Sequence, residues 1–373
     1  MKDGRGIHER RGARASPMSW IPFDRSLEGR WDEFVSAQPS GRMVHLSGFK
    51  KAVEETYRFE PFYQAYLKNG ILKAVFPGFF HRSLMYGRKI LSQPFSEYGG
   101  ILLSRDMGDE ERREILEEFS LLAEKALRVK HHSHLEMRNP LSPGVAGAPR
   151  FQTRILFKYA VRRLEHPESM WKALDSKDRN VILKARSYGL SMAEEQGEDS
   201  LRKRFYPLYL MTMKRLGTPP HPLDYFLRLS HYLKDRMKVF LVYYRQAPIA
   251  AIVGWTVGKT VHITDMCSDA AAFFLKPNDF AVWEFLRWAY DSGHDVFDFG
   301  PVRYRGQEIF KKKWNMELLD YSYVYLSLKP DRIKNPFSGS GGIMTAAPEI
   351  WKAAMPAGLS RFLGKYFRRE IGL

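Results

Sequence analysis

The stretch Gly293 to Leu326, GHDVFDFGPVRYRGQEIFKKKWNMELLDYSYVYL, decides the fold. Val296, Phe297 and Phe299 predict a short apolar strand that Gly300 releases, and Asp298 sets a carboxylate inside it. A carboxylate there needs a reason: a turn cap or an ion pair with a neighbouring arginine on one side, chemistry on the other. A polar loop with Arg303, Tyr304 and Arg305 follows, then a lysine-rich turn at Lys311-Lys312-Lys313 and a tyrosine-rich strand. The DFG triplet does not make a protein kinase, because no HRD catalytic loop, glycine-rich loop or VAIK strand accompanies it.

Working outward, two segments repeat one order of elements with little sequence in common. In the first, strands Pro61 to Leu67 and Ile71 to Phe80 meet at Asn69-Gly70, a hairpin signal because both residues tolerate positive φ. A strand near Lys89 to Ser92, an amphipathic helix Asp109 to Val129 and a strand His134 to Met137 follow. In the second, Val239 to Tyr244 and Ile249 to Val257 form the hairpin, Val261 to Met266 the next strand, Phe280 to Ser292 the helix, and Val296 to Phe299 the last strand. Helices Leu27 to Gln38 and Leu46 to Tyr57 open the first segment; Pro167 to Tyr188 and Leu201 to Arg215 open the second. The Pro/Gly-rich stretch 139–150 reads as a linker. The resulting division is a disordered basic extension 1–18, a first domain 19–138, the linker, a second domain 151–328, and a Gly/Pro/Ser-rich tail 329–373.

At 373 residues, with 44% hydrophobic and 14% aromatic residues, the chain has material for two packed cores. The single cysteine, Cys267, excludes an intrachain disulfide and favours a cytoplasmic setting. Its strand-like surroundings carry no nucleophile signature. No apolar run approaches the ~20 residues that span a bilayer, and the N-terminus has no signal-peptide core. A net charge of +17 points to a polyanionic partner: tRNA, a nucleotide-sugar, a lipid-linked precursor or an anionic membrane surface. The tail ends in a helical pattern with Leu359, Phe362, Leu363, Tyr366, Phe367 and Ile371 on one face and basic residues between them, which suits protein packing or peripheral contact with the inner membrane face.

The order DFG, basic loop with Gly306, Phe310-Lys311-Lys312-Lys313-Trp314, tyrosine-rich strand resembles the C-terminal signature of FemAB-like proteins. So do Leu91 to Gly100 (LSQPFSEYGG), Arg179 to Gly189 (RNVILKARSYG) and Pro277-Asn278, in the family's order. The closest look-alikes are FemAB-type proteins of exopolysaccharide and PEP-CTERM systems. The resemblance implies an α/β (α+β) fold of two tandem GNAT-like acyltransferase domains, each a mixed sheet flanked by helices, with which the internal repeat agrees. It also implies an acyltransferase that moves an aminoacyl group from tRNA, or another acyl group, to an amine of a cell-envelope, peptidoglycan or polysaccharide precursor.

Such a transfer needs orientation, a proton route and oxyanion stabilisation, but no metal and no cofactor beyond the acyl donor, aminoacyl-tRNA or acyl-CoA. The residues matching the family motif are Lys311, to polarise the donor carbonyl or bind phosphate, and Asp298, to orient that lysine or accept the amine proton. Arg303 and Arg305, with Tyr304 between them, suit a phosphate; Glu97, Tyr98, Asn278, Arg179 and Lys184 complete the expected substrate contacts. Asn278 also suits a helix N-cap, and Arg179 and Lys184 a solvated helix face. His131, His132 and His134 lack a metal-binding motif. Acetyl-CoA use would call for a (Q/R)-x-x-G-x-(G/A) loop, of which Arg303 to Glu308 supplies only the first part. Two alternatives keep the resemblance but change the outcome: an acyl-CoA-dependent GNAT enzyme, and a non-catalytic binding protein of an envelope or exopolysaccharide system. Asn315, where the family has glycine, is the main departure.

Overall fold

The computed structural model describes residues 19–328, 351 and 357–372; the basic extension 1–18 and most of the Gly/Pro/Ser-rich stretch lie outside the described residues. The first half runs β1 (Ser19–Pro22), α1 (Glu28–Ala37), α2 (Ser47–Tyr57), β2 (Glu60–Pro61), β3 (Gln64–Lys68), β4 (Ile71–Phe76), β5 (Phe79–Ser83), β6 (Gly87–Leu91), β7 (Leu102–Leu103), α3 (Asp109–Val129) and β8 (His134–Arg138). The second runs β9 (Gln152–Arg163), α4 (Pro167–Lys172), α5 (Ser176–Ser187), β10 (Ser191–Glu195) and α6 (Glu198–Ser200), which passes through a π turn into α7 (Tyr206–Leu216). Then come α8 (Leu223–Tyr232), β11 (Met237–Tyr244), β12 (Ala247–Val257), β13 (Thr260–Ser268), α9 (Pro277–Asp291), β14 (Val296–Val302), α10 (Arg305–Lys312), β15 (Glu317–Ser327) and α11 (Ala357–Ile371).

Local chemistry accounts for most boundaries. Asn69 and Gly70 both have positive φ, which gives the two-residue hairpin between β3 and β4. Helix α3 starts on Asp109, Glu110 and Glu111 and buries Ile115, Leu116, Phe119, Ala123 and Leu127, one face of a 3.6-residue period. The single strand expected over 71–80 is two strands, because Pro77-Gly78 interrupts the ladder and sends β4 and β5 into different sheets. The expected helix over 167–188 likewise divides into α4 and α5, with Asp175 in an extended conformation between them. The lysine-rich turn is helix α10.

A four-stranded sheet, β1-β3-β4-β7, packs beside an eleven-stranded one with order β10-β11-β12-β13-β14-β9-β15-β8-β6-β5-β2. In the large sheet each half contributes an antiparallel pair followed by a parallel crossover through a helix: β5-β6-α3-β8 and β12-β13-α9-β14. The strands that complete these units are exchanged. β9, which follows β8 in the chain, pairs with β14, whereas β15, which follows β14, pairs with β8. β9 and β15 then pair with each other at the centre of the sheet. Val324 and Leu326 of β15 accordingly lie in the core of the first half. The stretch 139–150 has no regular structure yet is anchored: the Asn139 N–H donates to the Ser322 carbonyl at 2.7 Å, and Val145 is fully buried.

Strands β11 to β13 separate two cores. Leu241, Val253 and Trp255 face α2, α7 and α8, and Val242, Ile252 and Ile263 face α5 and α9. Gly254 sits at a register shift of the β12–β13 ladder, and a Cβ there would lie 2.4 Å from the Phe285 ring of α9. The missing side chain thus fixes how closely α9 approaches the sheet. Gly254→Ala should destabilise the protein by about 1–3 kcal/mol through overpacking, read as a lower urea midpoint with an unchanged slope; an unchanged midpoint would show that Phe285 has room to move.

Candidate active site

β13 and β14 pair in parallel only at Thr260↔Val296, Val261↔Phe297 and His262↔Asp298. Beyond that rung both strands continue apart, β13 to Ser268 and β14 to Val302. A cavity of about 900 Å³ occupies the gap and is lined from both faces of the sheet. Thr212, His221 and Tyr225 line it from α7, α8 and their connection; Asn278, Phe310 and Lys311 line it from α9 and α10. Side chains from both faces of the sheet therefore border one space.

Asp298 lies at the last paired rung and is fully buried. Arg42, from the first half, places Nε and a terminal guanidinium nitrogen each 3.0 Å from Oδ2, while the Tyr98 hydroxyl donates to Oδ1 at 2.6 Å and the Gly300 N–H at 2.9 Å. Burial pushes the carboxyl pKa up, but Arg42, His262, Tyr98 and Gly300 together outweigh it and hold it below the ordinary value. Asp298 is thus a buried anion bonded to both halves, behind the cavity wall.

Lys311 reaches the same place from α10. Its ammonium donates to the carbonyls of Phe299, Gly300 (3.1 Å) and Pro301 (2.8 Å). These three bonds use its three N–H groups, so it acts on a substrate through its field unless a ligand displaces one carbonyl. Burial lowers its pKa to about 8, against the raising effect of Asp298 and Glu97.

The other expected residues divide into those at the cavity and those away from it. Arg303 pairs with Glu97 at 2.5 Å, and the Tyr321 hydroxyl donates to the Glu97 carbonyl at 2.6 Å, which ties the mouth together across the halves. Tyr304 lines the cavity with its side chain largely exposed, and Arg305 projects to solvent at the start of α10. Asn278 also lines the cavity; the N-cap is Lys276 with Pro277 as the first helical residue, so Asn278 is not the cap expected from sequence. Arg179 lies outside the lining and donates to the carbonyls of Lys172 and Leu174, closing the end of α4. Lys184 sits over the Tyr188 ring on α5, also away from the cavity. Asn315 has φ of +52°, the left-handed conformation that makes glycine suitable there, and its amide donates to the Ala173 carbonyl.

Three residues of the site have no sequence signal. Arg42 is one. His262 is another: it lines the cavity at the last paired rung, is 3% exposed, and neither ring nitrogen has a hydrogen-bond partner. Burial lowers its pKa to about 4, so the ring is neutral at physiological pH and has a lone pair free. Asp265 is the third, a carboxylate open to the cavity three residues further along β13. Only knowledge of where the strands part could have singled these out.

The Asp298 cluster is testable as a structural unit. Arg42→Ala leaves a buried carboxylate without its cation and should cost about 3–5 kcal/mol in urea unfolding. Adding Asp298→Asn to Arg42→Ala should recover part of that loss, and additive losses would show that the two side chains do not interact.

Residues 176–312 match the family model described as acetyltransferase (GNAT) domain. No curated protein matches the chain. Among solved structures it is similar to FemX, at 13% identity over 84% of this chain and 98% of that one, with a TM-score of 0.67. It is similar to L-PGS from Bacillus licheniformis at 11% identity over 81% and 96%, TM-score 0.51. It is also similar to a tandem GNAT protein from the clavulanic acid biosynthesis pathway, at 10% identity over 84% and 99%, TM-score 0.50. The chain thus shares its fold with FemX and with a tandem GNAT protein, and its segment 176–312 matches a GNAT acetyltransferase domain.

Proposed function

We propose that this protein is an N-acyltransferase that moves an aminoacyl group from tRNA to an amine of a cell-envelope or polysaccharide precursor. The observation that carries the transfer is the cavity at the parted strands, whose wall holds both His262 and Lys311, so that donor and acceptor bound in it would meet the same two side chains. The amine attacks the ester carbonyl, the C–N bond forms, and the ester oxygen leaves with the tRNA. The neutral His262 ring takes the proton that the nitrogen sheds and returns it to the leaving oxygen. The Lys311 charge, fixed by three carbonyls, stabilises the developing oxyanion from a low-dielectric wall.

A tRNA-borne donor is supported over acyl-CoA by the connection from β13 to α9. That connection is where a CoA pyrophosphate would need free backbone N–H groups. Residues 269–278, DAAAFFLKPN, contain no glycine, and the Asp269 side chain accepts from the Ala271 N–H at 2.9 Å, placing an anion there already. The net charge of +17 also suits a polyanionic donor. The envelope acceptor rests on the resemblance of the segments 91–100, 179–189 and 293–326 to FemAB-like proteins. A cytoplasmic place, peripheral at the inner membrane face, fits it: among the described residues no helix is long and apolar enough to cross a membrane. The α11 side chains Phe362 and Tyr366 stand exposed beside Arg361 and Arg369. The protein-facing side of α11 is instead Gly364, Arg368 and Ile371, so the apolar face expected from sequence is only partly the packed one.

Titration with aminoacyl-tRNA, uncharged tRNA and acyl-CoA at about 150 mM salt, where diffuse attraction is partly screened, tests the donor. Preference for charged over uncharged tRNA is expected; specific acyl-CoA binding with no such preference would replace the reading by acyl-CoA-dependent chemistry, and no selective binding would favour a non-catalytic role. Because the Lys311 ammonium is the active form, turnover should fall as pH rises through about 8. Lys311→Met should lower kcat by roughly 100-fold and remove that limb; a limb that persists belongs to another group.

A further inference from the structure

The cavity wall holds a carboxylate, Asp265, that the transfer described above does not use. Asp265 lies on β13 where Val253 pairs with Asp265 but Gly254 pairs with Ile263, so Thr264 is an extra residue and the strand bulges. The bulge keeps His262 and Asp265 on the same side of the sheet, toward α7, α8 and α11, despite their odd spacing. The Asp265 carboxylate accepts a hydrogen bond from the Thr264 hydroxyl at 2.8 Å, and that hydroxyl in turn accepts from the Trp255 indole N–H at 2.9 Å. Among the described residues no lysine, arginine or histidine nitrogen lies within 4.0 Å of it. The nearest influence of opposite sign is Arg368 on α11, whose Nε is engaged by the Pro219 carbonyl at 2.7 Å. Burial raises the Asp265 pKa, and Arg368 offsets this only in part.

The surroundings are aromatic. Tyr225, Phe226 and Trp255 line the same cavity, and Tyr225 and Tyr209 both feel the Asp265 charge. The other titratable groups on this side are Arg215 of α7, His221 before α8, and Cys267 on β13; burial holds His221 neutral and Cys267 as a thiol. A half-buried carboxylate with one hydroxyl partner among the described residues, bordered by π faces, is stabilised by a cation that arrives from outside.

We propose that Asp265 is a recognition subsite for a primary ammonium group of the substrate. The ammonium belongs to a part of the substrate that does not react, because Asp265 stands three residues from His262, up to about 10 Å along an extended strand. That distance suits the second amino group of a diamino compound, carried either by the acceptor or by a basic aminoacyl donor. The inference rests on the transferase reading for the word substrate, but the site is defined by its own chemistry.

Binding without turnover separates the two. Calorimetric titration of the full chain with n-butylamine, its neutral counterpart n-butanol, L-lysine methyl ester and L-norleucine methyl ester, for wild type and Asp265→Asn, tests the subsite. The expected result is that n-butylamine binds wild type at least 10-fold more tightly than n-butanol, and that Asp265→Asn abolishes the difference. Lysine ester favoured over norleucine ester, again through Asp265, assigns the ammonium to the donor side chain; equal binding of the two esters assigns it to the acceptor. Equal binding of n-butylamine and n-butanol to wild type overturns the proposal, as does an amine preference that survives Asp265→Asn. Comparison within wild type keeps the test decisive even where the variant folds poorly. Failure of tRNA discrimination would leave this result untouched.

Discussion

Parting two strands inside a sheet strips backbone groups of their partners, and that constraint organises the centre of this molecule. Past the His262↔Asp298 rung, β14 has no neighbour on the β13 side. Its carbonyls at Phe299, Gly300 and Pro301 are taken up by the Lys311 ammonium, and the Gly300 N–H by the Asp298 carboxylate. Buried main-chain polar groups without partners cost roughly 1–3 kcal/mol each, so a gap of this kind persists only where side chains replace the ladder. Lys311, which is placed for chemistry, thus also replaces the ladder along the gap, together with the buried Asp298.

That arrangement requires a further charge, because Asp298 is itself buried. Arg42 supplies it from the first half, and Tyr98 adds a hydrogen bond from the same half. The cluster around Asp298 is therefore complete only when the halves are docked. The β15–β8 pairing ensures that they are, since the last strand of the second half is hydrogen-bonded along the last strand of the first. Helix α11 adds a third tie: the Gly372 carbonyl accepts from Arg138 at 2.8 Å, while Arg368 holds Pro219 of the second half. A stable interface of this extent makes the cavity a property of the whole chain rather than of the catalytic-type half.

Local patterns were legible because local chemistry sets them. The Asn69-Gly70 hairpin, the boundaries of α3 and the strand around Asp298 follow from turn residues and periodicity, and the repeated order of elements carried the fold. What escaped was set by long-range pairing. β9 alternates along its length with much of it only partly buried, and nothing in residues 152–163 reveals that it will cross to β14. Asp298 and Lys311 were visible as unusual residues, but their partners lie as far away as Arg42, 256 positions distant in the chain for Asp298. Arg179 and Lys184 looked like a cationic site because a helix face of basic residues has the same pattern whether it grips a ligand or caps its neighbour.

Sign of charge gives the site its internal logic. A chain with net charge +17 nevertheless places in its cavity wall a carboxylate, Asp265, that has no ion pair among the described residues, while Arg303 is engaged by Glu97 and Lys311 by main-chain carbonyls. A uniformly cationic binding site would attract a polyanion into the cavity along its whole length. Here the positive field acts over the surface, where it steers association at a distance set by the Debye length, about 8 Å at physiological salt. The interior selects by the opposite rule: only a group that brings its own positive charge relieves Asp265. On the proposed reading, the two rules together suit a substrate with a polyanionic body outside and an ammonium within.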